Sequence, residues 1–430
     1  MTEHLRVAVV ARAVMPLHGV GGLERSVHDL VRHLAARGVD VTLIVPPAGP
    51  VQRATITDPF ASPHIQMRHV RYLTFPFANR RGTTILDRST AYLLYGWRAG
   101  RLARQLAERG DVQIIHGFGA SLLGAATGAT RVPLVMNPQG LEEFGATAAR
   151  QASLKRAAYA PLRWAVRRSA RAADAIIATD VSLESTVARH LHPRPGQMQT
   201  IPNGIDLVAA TAFAGPAEGR VLRQRYKIGS GELVFLSVGR LEYNKGFDLM
   251  AGALSKASAP GSPLSAMGWR WVLVGSGPYR AEIEQQVQRH GLDAHVVFAG
   301  RTTDQDLHAW YEAASVFVHP TRYEGSSIVT LEAMAHRRPV IATRAGGLPD
   351  KVLPGVTGWL VEPDTMDGGS SGTIDALASA LIDAAAASGQ LAEMGARSRE
   401  LVEREFSWSV LVERQIALYD DLLRRARAAH

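Results

Sequence analysis

Short apolar runs recur along the chain, with amphipathic stretches between them. In the first half they fall at residues 5–10, 39–45, 112–115, 134–136, 175–178 and 198–201. The first four are rich in Val, Ile and Leu, as expected of parallel strands covered on both faces. Between the first two, Leu23, Val27, Leu30, Val31 and Leu34 line one face at a period of 3.6, and Gly38 follows where a helix would end. The second half repeats the grammar, with runs at 233–238, 271–274, 296–299, 316–318, 340–342 and 359–361. Six strands and then six more, each alternating with helices, predict two doubly wound α/β domains. There is no tandem repeat of 20–50 residues; only the architecture recurs.

The boundary is expected near residues 204–219, where a turn at 202–206 (PNGID) leads into small residues. Further loops are read at 46–63, 255–268 and 365–373. The closing segment, 408–428, has a helical pattern carrying Leu411, Ile416, Leu418, Tyr419 and Leu422.

Composition narrows the classes. The 430 residues are 46% hydrophobic and 20% charged, a globular balance. Cysteine is absent, which excludes disulfides, zinc ribbons and thiol chemistry. The net charge of +9 directs attention to anionic partners. No unbroken apolar stretch of about 18 residues is present to suggest a transmembrane helix. The N-terminus runs straight into a short strand, without the pattern of a secretory signal.

Candidate chemistry sits at strand ends. After the first strand, Gly19-x-Gly21 lacks the third glycine of a dinucleotide fingerprint, and Pro46-Pro47 replace the acidic residue expected later; both argue against nicotinamide. Adjacent Gly21 and Gly22 at a helix start still let backbone N–H groups approach an anion. A plain tight turn is the alternative. In the second half, Arg240 and Lys245 follow a strand directly, beside Gly239 and Gly246. A guanidinium fork and an ammonium at the carboxyl end of a parallel strand suit a diphosphate. Two solvated loop cations are the alternative. Gly275 opens another glycine turn at a strand end, either a plain turn or a passage under a nucleotide.

The sharpest pattern is HPTRYEGSSIVTLEAMA, residues 319–335. Glu324 precedes Gly325, Ser326 and Ser327, and a helical run then carries Glu332. Ser326 or Ser327 suits the N-cap. Eight helical residues span about 12 Å at most, comparable to the reach between the two sugars of a nucleotide-sugar. Each carboxylate could accept hydrogen bonds from one sugar while free amides at the helix start meet phosphate. A capping loop and one surface Glu is the alternative.

Taken in order, GGLER, PNGID, GRL…KG, VGSGP, the run from Phe298 to Tyr311, Glu324/Glu332, PVIAT…GG, TGWLVEP and FSW resemble glycosyltransferase family 4 over nearly the whole chain. The resemblance implies a retaining enzyme of GT-B fold: two Rossmann-like domains facing across a cleft, with the last helix crossing back to the first. The expected domains are 1–207 with 409–430, on the acceptor side, and 216–408, which binds the nucleotide-sugar. It implies that Arg240 and Lys245 hold the donor diphosphate, Glu324 the transferred sugar and Glu332 the ribose. Gly21, Gly22, Gly239, Gly275 and Gly325 to Ser327 would complete the donor site, and Arg301 would meet the base. His116 matches an acceptor-side histidine, with a structural loop histidine as the alternative. Two departures stand out: Ser327 where many relatives have glycine, and Gln139 where many have histidine.

Asp304-x-Asp306 spells a metal motif, but Asp and Thr at a helix start are better explained as caps, and no metal is expected. No cofactor is expected beyond a UDP- or GDP-sugar as co-substrate. The segment 150–171 carries Arg150, Lys155, Arg156, Arg163, Arg167, Arg168 and Arg171 with no acid among them. It reads either as a surface for anionic lipid, at about 1 kcal/mol per cation, or as a solvated helix face. Nucleic acid is not expected, for want of an aromatic platform or binding module. The expected activity moves a hexose to a sugar, glycan or lipid-linked hydroxyl, in the cytoplasm or at the inner membrane face. A sugar-nucleotide epimerase, a sugar phosphorylase and a non-catalytic sugar-nucleotide-binding protein are the alternatives.

Overall fold

The computed structural model describes residues 4–19, 21–49, 60–73, 89–139, 141–144, 157–364 and 371–428. The chain forms two compact units, one of Met1–Gly204 with Trp408–His430 and one of Ile205–Ser407.

The first unit is built on seven parallel strands: β1 (Arg6–Val10), β2 (Asp40–Val45), β3 (Ile65–His69), β4 (Ile114–Phe118), β5 (Leu134–Asn137), β6 (Ala175–Ala178) and β7 (Met198–Thr200). Their order is β3-β2-β1-β4-β5-β6-β7. The apolar runs mark six of them. The seventh, β3, is an addition to the predicted set. It lies at the sheet edge, where Gln66, Arg68 and His69 stay exposed and only Ile65 and Met67 pack inward, so no apolar run announces it.

Alternation along β1 divides the unit into two layers. Val7 and Val9 face one core with Val27, Leu30, Val31 and Leu34 of the helix Gly22–Ala36, while Ala8 and Val10 face the other. Gly38 ends that helix at φ 78°. The terminal helix Trp408–Ala428 adds Trp408, Leu411, Val412, Tyr419 and Leu422 to the layer of Val7 and Val9. Its Trp408 ring stacks on His33 at 5.6 Å, and Arg37 Nε donates to Glu413 Oε1 at 2.6 Å. The helix thus completes the first unit, as the crossing-back expectation requires.

The second unit has six parallel strands: β8 (Leu233–Val238), β9 (Trp269–Val274), β10 (Val296–Gly300), β11 (Val316–His319), β12 (Val340–Thr343) and β13 (Gly358–Val361), in the order β10-β9-β8-β11-β12-β13. Strand β9 starts two residues before its apolar run, because Trp269 and Trp271 share one core while Arg270 between them pairs with Glu232 at 2.9 Å. In both sheets the order reverses beside the first strand, between β1 and β4 and between β8 and β11. Ligands of such sheets bind beyond the strand carboxyl ends at this reversal. Among the described residues no helix is long and apolar enough to cross a membrane.

Candidate functional site

Strands β8 and β11 deliver the central cluster. Lys245 follows β8, His319 ends β11, and Glu324 lies in the loop after it. The Lys245 ammonium donates to Glu324 Oε2 at 2.7 Å, and His319 Nε2 lies 2.6 Å from the same oxygen. The other oxygen, Oε1, accepts from the Gly325 amide at 3.1 Å. Side-chain exposure is 19% for Lys245, 13% for Glu324 and 0% for His319. Burial pushes the Glu324 carboxyl up. The Lys245 charge and the His319 hydrogen bond outweigh it and hold the group well below the usual carboxylate range. Burial lowers His319 in turn, against the raising pull of Glu324. A carboxylate oxygen accepts, so His319 donates to it from Nε2, and its buried Nδ1 has no partner among the described residues.

The two loops are lashed together. Arg322 forks onto Asp248 at 2.7 and 2.6 Å, donates to the Tyr243 carbonyl at 2.8 Å, and lies 4.1 Å from the centre of the Tyr243 ring. The Arg322 amide and the Thr321 hydroxyl both donate to the Asn244 carbonyl at 2.8 Å. Gly346, at φ 54°, supports Glu324 from behind, where a Cβ would stand 1.8 Å from the Glu324 carbonyl oxygen. Gly239 and Gly275 are packed against each other, since a Cβ on Gly275 would stand 1.9 Å from the Gly239 carbonyl oxygen.

The other predicted residues of this unit are placed differently. Arg240 is 79% exposed and pairs with Glu242, so its guanidinium extends outward. Arg301 is exposed just after β10. Of the two serines, Ser327 is the cap of the helix Ile328–Ala335: its hydroxyl accepts from the Thr330 amide at 3.4 Å and meets Thr330 Oγ1 at 2.8 Å. Glu332 is buried in that helix, where its Oε2 accepts from the Tyr311 hydroxyl at 2.8 Å. Asp304 and Asp306 lie in the first turn of the helix Asp304–Ala313, and Thr303 caps it by accepting from the Asp306 amide at 3.1 Å. Sequence reasoning gave no part to His319, Tyr311 or Arg322. A histidine at a strand end, three residues before Arg322 and five before Glu324, was the one signal available.

In the first unit, Gly21 is the N-cap of the helix that opens with Gly22. His116 lies within β4, almost wholly buried, with Nδ1 2.7 Å from the Tyr419 hydroxyl of the terminal helix. Burial pushes it down to about 3. Its Nε2 has no partner among the described residues, and the residue borders a cavity of about 20 Å³, room for one water. Gln139 follows β5 at φ 57°, held by Asn137 Oδ1, which accepts from its amide at 3.1 Å and its side chain at 2.9 Å. Of the basic segment, Arg150, Lys155 and Arg156 lie outside the described residues, as does most of the loop 46–63. In the helix Ala160–Ala172, Pro161 stands in the first turn, where its missing N–H costs nothing. Arg163 donates to the Glu143 carbonyl at 3.3 Å and Arg167 to that of His190 at 3.1 Å. Arg171 and Trp164 are exposed, and Arg168 is half-buried.

Comparison with known proteins puts this arrangement in a family. Residues 20–208 match the family described as Glycosyltransferase Family 4, and residues 232–385 match Glycosyl transferases group 1. The alpha-maltose-1-phosphate synthase of Mycolicibacterium smegmatis is 30% identical over 303 residues, covering 67% of this chain and 73% of that protein. The chain belongs to the family 4 glycosyltransferases of GT-B fold. This glycosyltransferase is also 28% identical over 344 residues to the GDP-mannose-dependent alpha-(1-6)-phosphatidylinositol monomannoside mannosyltransferase of the same species, covering 73% of this chain and 85% of that one. Among solved structures, sucrose-phosphate synthase from Thermosynechococcus elongatus shares the fold. Its TM-score is 0.73 at 24% identity, covering 98% of the glycosyltransferase and 100% of that chain. Of these relatives, the mannosyltransferase is named for GDP-mannose as its donor and a phosphatidylinositol mannoside as its acceptor.

Proposed function

We propose that the enzyme moves a hexose from a UDP- or GDP-sugar to an acceptor hydroxyl with retention of configuration. The observation that carries this reading is the Lys245–Glu324 pair beside the β8/β11 reversal. The ammonium has three hydrogens; one stays on Glu324 and the others turn to the diphosphate. Glu324 accepts hydroxyls of the transferred sugar and Glu332 those of the ribose. In the second unit, Arg240, the amides from Gly325 to Ser327 and the glycine turns at Gly239 and Gly275 serve the phosphates, and Arg301 the base; in the first, Gly21 and Gly22 offer amides at a helix start. Negative charge grows on the departing phosphate, and fixed cations and amides lower the barrier most where it grows. The same phosphate takes the proton of the incoming hydroxyl. His116 and Gln139 belong to the acceptor side, His116 through its hold on the terminal helix. The test is incubation with a panel of UDP- and GDP-sugars, with and without cell extract. Free nucleotide together with a new glycoside is expected; a panel in which no donor is consumed overturns the reading.

The acceptor is proposed to be presented at a membrane surface. Supporting this, the helix Ala160–Ala172 exposes Trp164 at 57% beside Arg168 and Arg171, along a groove of about 300 Å³. An indole with neighbouring guanidinium groups is the side-chain set of a lipid headgroup boundary.

A further inference from the structure

Lys351 is fully buried in the second unit, at 0% exposure. An ammonium in such a position is rare and requires hydrogen-bond partners. Its Nζ donates to the Gly347 carbonyl at 3.1 Å and to Ser326 Oγ at 3.3 Å, and it stands 5.3 Å from the centre of the Phe406 ring.

An ammonium only donates. The Ser326 oxygen therefore accepts from Lys351, and its own hydrogen must point to a different acceptor. Ser327 next door is committed to capping the helix Ile328–Ala335. Two adjacent serines thus have separate assignments, one turned into the helix and one held from behind by a charge. Ser326 is half-buried, on the loop between Glu324 and the helix start. The same backbone supports that loop from Lys351's side, since the Gly347 amide donates to the Gly325 carbonyl at 2.8 Å. Lys351, Gly347 and the loop are therefore one connected block. A hydroxyl that accepts from a cation is also a stronger donor, because hydrogen bonds in series polarise one another.

We infer that Lys351 is a positioning residue that presents the Ser326 hydroxyl, as a hydrogen-bond donor, to a phosphate oxygen of the nucleotide. This rests on the proposed reading in which the loop meets the donor diphosphate. The probes are UDP and GDP, titrated calorimetrically into the full-length protein, with the melting temperature of each variant measured alongside. Ser326→Ala and Lys351→Met each weaken nucleotide binding about tenfold, the scale of one charge-assisted hydrogen bond. The double variant binds no more weakly than Ser326→Ala, because Lys351 acts through that hydroxyl. A lysine that only stabilised the fold would lower the melting temperature and leave this cycle additive.

Unchanged affinity in Ser326→Ala, or a Lys351→Met effect that adds in full to it, overturns the inference. Ser326→Ala removes one half-buried loop hydroxyl and leaves the core intact, so it decides the matter even where Lys351→Met does not fold. Lys351→Gln, which keeps a neutral donor, is expected to restore part of the affinity. Where Lys245→Ala loses nucleotide binding but Ser326→Ala keeps it, this inference alone fails. A wild-type protein that binds neither UDP nor GDP overturns the reading of the loop and the inference with it.

Discussion

At the scale of single residues, the proposed chemistry rests on Lys245 and Glu324, which pair with each other at 2.7 Å. Lys245→Ala removes the cation expected to meet the departing phosphate and leaves Glu324 with the His319 imidazole and the Gly325 amide. Turnover should fall by roughly 10²-fold, by analogy with lost oxyanion donors, with the melting temperature little changed. Near-normal turnover in a steady-state donor-consumption assay would reject the assignment. The pairing spans 79 residues, and no local pattern links the two. Fold class links them, because the loops after neighbouring strands at an order reversal must meet. Lys351 was illegible for the opposite reason. Flanked by Asp350 and Val352 after a glycine-rich turn, it reads as surface, and only the packing of Phe406 and the Ser326 loop buries it. Arg240 was equally visible in sequence, and its exposed guanidinium pairs with Glu242, a contact that its spacing from a strand does not encode.

At the scale of elements, close backbone contacts set the loops. Gly346→Ala would need both a positive φ for alanine and room already taken by the Glu324 carbonyl, so the loop must shift. Gly110, at φ 77°, would have nothing within 4 Å of an added Cβ, so Gly110→Ala bears only the conformational cost, about 1 kcal/mol. Donor-dependent activity should therefore drop at least tenfold more in Gly346→Ala than in Gly110→Ala; equal activity in the two variants would show that the Gly346 contact does not hold Glu324. The terminal helix supplies a second case. His116 holds Tyr419 as a neutral ring, lowered by burial from 6.5 to about 3. Between those values the unfolded chain binds a proton that the folded one does not, so stability falls as pH drops below 6.5. From pH 7 to pH 5 the loss is about 2 kcal/mol from this group. His18, His190 and His319 are also lowered and add to the slope. Urea midpoints at the two pH values should differ less in His116→Gln than in the parent; parallel slopes would place the titration elsewhere. The closing helix itself was legible from Leu411, Tyr419 and Leu422, whereas β3, with two inward residues, was not.

At the scale of the whole molecule, the charge of +9 and the Trp164 helix lead to one expectation. The protein should co-sediment with vesicles containing anionic phospholipid at low salt and be released as ionic strength rises, since the Debye length shrinks from about 30 Å at 0.01 M to about 10 Å at 0.1 M. Trp164→Ala with Arg168→Glu and Arg171→Glu should abolish the binding. Recovery of the parent protein in the supernatant at low salt would remove the membrane proposal and leave the donor site as it stands. Chain order has its own consequence. The second unit is one uninterrupted stretch, Ile205–Ser407, whereas the first is assembled from segments on either side of it. During synthesis, the later-made unit has everything it needs to fold before the earlier-made one does. Val7, Val9 and His116, all translated early, stay without one of their covering layers until the helix Trp408–Ala428 emerges from the ribosome.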